Sequence, residues 1–135
     1  MLDVSSHDLA VALARRLNGV TPAGITVQAQ GSDLAVLQGG QIVGVSGAPA
    51  ILETVEALRE PRANLETAVR AALSGVQDYI ADVTAEPWPG TGGSQPTPDA
   101  RVESDTVSMW FGDEDAPVLR LPSLRLTRPT ADPAG

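Results

Sequence analysis

The chain has 135 residues, 42% of them hydrophobic and 19% charged, which is enough for one hydrophobic core and leaves little for a second domain. It has no Cys and one His, His7, which excludes disulfides, thiolate chemistry and a His-based metal site within one chain. Seventeen acids face nine bases, all Arg, for a net charge of −8, a balance that argues against nucleic acid and anionic membrane surfaces as partners.

A Lys-free chain rich in Ala, Val, Gly and Arg fits a high-GC bacterial genome. The opening residues MLDVSSHDLA show neither a basic nor an apolar leader pattern, so a cytoplasmic protein is expected. No apolar run approaches the roughly 18 residues that a membrane span needs.

The first helix is predicted from about Ser6 to Asn18. Ser5 and Asp8 have capping-box spacing, and Leu9, Leu13 and Leu17 recur along one face, flanked by Ala10 and Ala14. Asn18-Gly19 is read as the stop, with Gly19 in the left-handed conformation. The period then changes to two. Ile25, Val27 and Ala29 alternate with Thr26, Gln28 and Gln30, a half-buried strand. A turn at Gly31-Ser32-Asp33 leads to strands at Leu34–Gln38 and Gln41–Ser46, joined by a two-residue hairpin at Gly39-Gly40. A phosphate-loop reading of these glycines fails on spacing and on the missing Lys.

Ala48-Pro49 is expected to open a helix carrying Ile51, Leu52, Val55 and Leu58, which Pro61 breaks. Asn64 is expected to cap a long helix over Leu65–Thr84. Its stripe of Leu65, Val69, Ala72, Leu73, Val76, Ile80 and Val83 is the strongest periodic signal in the chain, with Tyr79 at its edge and Glu66 and Arg70 four apart in pairing order. From Pro87 to Ala100, four Pro and three Gly predict a flexible loop.

Two further strands follow. One carries Val107, Met109 and Phe111. The other runs from Val118 to Leu126, where a bulge or edge position at Pro122 keeps Leu119, Leu121, Leu124 and Leu126 on one face. Six acids between Asp99 and Asp115, followed by Arg120, Arg125 and Arg128, suggest cross-strand ion pairs worth a few tenths of a kcal/mol each. The expected domain is 1–126, with a disordered tail over 127–135. The fold class is α+β: a mostly antiparallel sheet of about five strands in the order α-β-β-β-α-α-β-β, with helices packed on one face.

Few residues suggest chemistry. His7 would be a general base only with partners, and it reads as an exposed helix-start residue. Asp113, Glu114 and Asp115 could hold a hard cation but read as a solvated turn. Asp78, Asp82 and Glu86 form an acidic row that reads as the polar face of the long helix. No catalytic, cofactor-binding or metal-binding residue is assigned, and no cofactor is expected. Trp88 and Trp110 are the candidate interaction residues. Trp88 could anchor a partner or fold back over the core, and Trp110 is expected on a bare sheet face that a homodimer partner or the long loop would cover.

The segment Leu73-Ser74-Gly75-Val76-Gln77-Asp78 followed by Glu86-Pro87-Trp88-Pro89 resembles a pattern of small proteins of high-GC bacteria that implies no activity. The order of elements also resembles the acidic secretion-chaperone fold, whose members are small dimers. Three readings follow. The first is a non-enzymatic interaction module, adaptor or chaperone-like, forming a homodimer or meeting a protein partner. The second is a ligand-binding domain with a pocket between the sheet and the long helix. The third is an enzyme using carboxylates and Arg.

Overall fold

The computed structural model describes residues 5–53, 61–90 and 95–125. The elements are α1 (Ser6–Asn18), β1 (Ile25–Gln30), β2 (Asp33–Gln38), β3 (Gln41–Ser46), a 3-10 helix (Ala48–Glu53), α2 (Pro61–Thr84), β4 (Pro98–Glu103), β5 (Thr106–Gly112) and β6 (Pro117–Arg125). The α+β class is as expected, but the strands do not form one sheet. They form two antiparallel meanders, β1-β2-β3 and β4-β5-β6. Both helices span the divide: α1 contacts β1, β2 and β6, and α2 contacts β2, β3 and β4. A single core cluster joins Leu9, Leu13 and Leu17 of α1, the α2 stripe, Val27, Leu34 and Val36 of the first sheet, and Val107, Met109, Phe111 and Leu121 of the second.

Local chemistry explains most element boundaries. Ser5 caps α1 by accepting from the Asp8 N–H at 3.0 Å. At the other end Gly19 stays right-handed, at φ −76°. The last turn tightens through Gly19 N–H to Arg16 and Val20 N–H to Leu17, which satisfies the end carbonyls without a left-handed residue. Pro61 is the first residue of α2, the position where its missing N–H costs least. Asn64 therefore lies within α2. The expected helix before it is seen only as the 3-10 turn Ala48–Glu53, and Val55 and Leu58 lie outside the described residues. Along α2, Leu65, Val69, Ala72, Leu73, Val76 and Ile80 are fully buried as read, while Val83 is half-buried.

The expected Pro87–Ala100 loop is shorter at its far end. Pro98–Ala100 open β4, a sixth strand, whose buried Ala100 and Val102 alternate with Asp99, Arg101 and Glu103. Before it, Gln77 of α2 donates from Nε2 to the Pro96 carbonyl, and Gly112 N–H donates to Thr97 at 2.9 Å. Positions 91–94 of the loop, Leu126 and the tail at 127–135 lie outside the described residues. In β6 the pairing steps from Leu124–Val107 to Leu121–Met109, so the extra residue falls at Pro122-Ser123 and keeps Leu121 and Leu124 buried on one face.

Side chains from other elements occupy backbone groups on all four sheet edges. On β1, Asn18 accepts from Val27 N–H at 2.7 Å and donates to Val27 carbonyl at 2.6 Å, pairing as a strand would. On β3, Tyr79 donates its hydroxyl to the Val45 carbonyl at 3.0 Å. On β4, Glu66 accepts from Val102 N–H at 2.8 Å, and the strand's own Asp99 accepts from Ala100 N–H at 2.8 Å. On β6, Arg16 reaches the Pro122 and Ser123 carbonyls at 3.0 and 2.9 Å, beside a Pro that offers no N–H. Burial, and then the neighbouring Arg15, lower the pKa of Arg16 from the usual guanidinium value. Edge groups occupied in this way are poor templates for another strand.

Candidate functional site

The two candidate Trp residues are not on an open surface. Trp88 is half-buried and meets Phe111 edge-on, with centroids 5.4 Å apart, so it folds back and closes the core beside β5. Trp110 does face away from the main core, on the far side of β5 from Met109 and Phe111. It is nonetheless only 2% exposed, so it is covered within one chain and leaves no bare indole for a partner. Its cross-strand neighbours are Asp99 and Arg120, and the Arg120 guanidinium lies over the ring at 5.6 Å. Arg120 also donates to the Glu114 carbonyl at 3.1 Å, and the Glu114 side chain pairs with Arg101. The turn after β5 thus folds a charged roof over Trp110. A dimer built on an exposed Trp110 is not available in this arrangement.

The acidic residues disperse. Glu114 belongs to that roof, while Asp113 and Asp115 are exposed. Asp105 meets Arg125 at 3.9 Å, one of the cross-strand pairs expected from the charge pattern. Glu66 and Arg70 each reach to β4, Glu66 to Val102 N–H and Arg70 to Asp99 at 3.5 Å, where a helical i,i+4 pair was expected. Asp78, Asp82 and Glu86 are exposed. Among the described residues no three His, Asp or Glu side chains converge as metal ligands. His7 lies at the start of α1, where Nδ1 donates to the Gly31 carbonyl at 2.6 Å, beside the Ser6–Ser32 hydroxyl contact at 2.9 Å. These contacts fasten the β1–β2 turn to the helix.

The interval between α2 and β3, where a ligand pocket was considered, is narrow. The Tyr79 ring fills the space over Gly44, and a β-carbon on Gly75 would lie 3.1 Å from Ser46 Oγ. The backbones approach closely because two glycines face each other's elements there.

The outer face of β1–β3 has a different character. Thr26, Gln28 and Gln30 are exposed on it, as their alternation predicts. Across the sheet Thr26 lies level with Leu37 and Ile42, and Gln28 with Ala35 and Val45. Strict alternation would send Ile42 and Val45, three residues apart, to opposite faces. The register shifts between Val36 and Leu37, which leaves Val43 as the extra residue on β3 and brings both side chains outward. Ile42 is 50% exposed and Val45 42%. Among the described residues the only comparable exposed apolar side chain is Val118 on β6, two residues from Arg120. Sequence reasoning missed this pair because alternation alone does not place a bulge, and β3 has no Pro to mark one as Pro122 does in β6.

No known family, characterised protein or solved structure matches this chain. Among the described residues no helix is long and apolar enough to cross a membrane.

Proposed function

We propose that the chain is a non-enzymatic interaction module that docks through the outer face of β1–β3. The observation that carries this reading is the pair Ile42 and Val45, held side by side and half-exposed by the β3 bulge, with Leu37 and Thr26 beside them. Apolar side chains grouped on a sheet face are a feature of binding surfaces, whereas scattered single ones need no explanation. The capped sheet edges support face docking over strand addition.

The test is a photo-crosslinking amino acid placed at position 42 or 45 in the producing cells, with position 82 on the solvent side of α2 as the control. Adducts of defined mass from 42 and 45 and none from 82 are expected. Equal labelling from all three positions, or none from 42 and 45, would overturn the reading.

A further inference from the structure

We propose that the partner on this face is a second copy of the chain, related by a two-fold axis. The proposal rests on the interaction-module reading and adds the identity of the occupant. Three observations favour it over a partner of different chemistry.

The first is where the charge lies. Between Arg16 and Glu53 the sequence holds one charged residue, Asp33, although the whole chain carries seventeen acids and nine bases. Two bodies of charge −8 repel, and they meet at least cost where each has almost no charge. Asp33 stands level with Gln30 at the end of the face, its carboxylate beside Gly47 and one same-face step beyond the Ala35–Val45 row. The outer face of the other sheet, with Asp99, Arg101, Glu114 and Arg120, has the opposite character. A neutral face also gives a strongly charged partner nothing to recognise.

The second is the polar rim. Thr26, Gln28 and Gln30, along the β1 side of the face, are all exposed. A carboxamide is both donor and acceptor, so it can bond to its own copy across a two-fold axis. A carboxylate or guanidinium near that axis would meet its like.

The third is the edge caps. Asn18 on β1 and Tyr79 on β3 occupy edge groups of this sheet, so self-association is directed to the face. Two such faces stacked at the usual ~10 Å would bury Ile42, Val45 and Leu37 against their counterparts.

The test uses the purified full chain, with mass followed by light scattering from ~1 to ~200 μM, a range that brackets micromolar dissociation constants. The wild type is expected to approach twice 13.9 kDa at the top of the range. Ile42→Gln and Val45→Asp should stay monomeric there, with melting unchanged from that of the wild type at the low concentrations where it too is a monomer, since both side chains are already half in water. Should Val45→Asp fail to fold, Ile42→Gln and the dilution spectrum still decide. On dilution, amide shifts should move at Thr26, Gln28, Leu37, Ile42 and Val45 and stay fixed at Asp82 and Trp110.

Added salt should tighten the dimer, because it screens the repulsion between two acidic bodies; a charge-paired interface would weaken. A mass of 13.9 kDa at every concentration would overturn the proposal, as would a dimer that both variants leave intact. A purified monomer whose position 42 is crosslinked to a different protein in cells removes the second copy and leaves the interaction module standing. A dimer through another face, with no adducts from 42 or 45, removes both.

Discussion

The ring of Tyr79 on α2 occupies the space that a β-carbon on Gly44 of β3 would need: such an atom would lie 2.3 Å from Cγ and Cδ1. The same side chain donates its hydroxyl to the Val45 carbonyl, one residue along. One aromatic residue therefore sets how closely helix and strand approach and also occupies part of the strand's outer edge. Gly44→Ala is expected to cost ~1–3 kcal/mol, because the ring must leave its place. Tyr79→Phe should cost ~0.5–1.5 kcal/mol, through the hydrogen bond alone. In a Tyr79→Ala background the Gly44→Ala penalty should largely vanish, giving a coupling of ~0.5–3 kcal/mol by urea denaturation. Additive effects would mean that the two positions are not in contact.

Asn18 gives a second test. Its amide makes two short hydrogen bonds to Val27, which is 2% exposed. Asn18→Ala removes the partner of a part-buried donor and acceptor and should cost ~0.5–1.5 kcal/mol for each hydrogen bond. Amide exchange at Val27 should quicken more than at Val36, which lies in the central strand. Unchanged protection at Val27 would refute the capping role.

The α2 stripe predicts a contrast within one helix. Leu73 is fully buried, and Leu73→Ala should cost ~2–5 kcal/mol. Asp82 is exposed on the other side, and Asp82→Ala should stay within ~0.5 kcal/mol of wild type. Thermal melts that ranked Asp82→Ala as the more damaging would invert the assigned face.

Trp110 and Arg120 separate a structural role from an interaction role. Trp110→Ser removes a buried indole and should destabilise the fold by about the ~3–5 kcal/mol typical of a large aromatic truncation. Arg120→Ala should cost only ~0.5–1 kcal/mol, the scale of an exposed cation–π contact. Chemical denaturation with fluorescence detection measures both. A Trp110→Ser protein of wild-type stability would restore the indole as a surface residue.

Periodicity and capping residues alone determined α1, the β1–β2–β3 meander, the buried stripe of α2 and the bulged edge strand at Pro122. Each of these depends on neighbours within a few residues along the chain. β4 was hidden because its alternation, Ala100 and Val102 against Asp99, Arg101 and Glu103, is short and follows a Pro- and Gly-rich stretch. Only the tertiary structure decided that the strands divide into two sheets, since a period of two assigns faces to a strand but not neighbours. It also decided that Glu66 serves β4 and that Arg16 reaches β6 more than a hundred residues away. Trp110 lies under the Arg120 guanidinium, which the Glu114 carbonyl of the β5–β6 turn holds in place. Ile42 and Val45 share a face because Val43 finds no opposite number on β2. These are long-range pairings, and composition and spacing along one strand do not encode which distant group completes them.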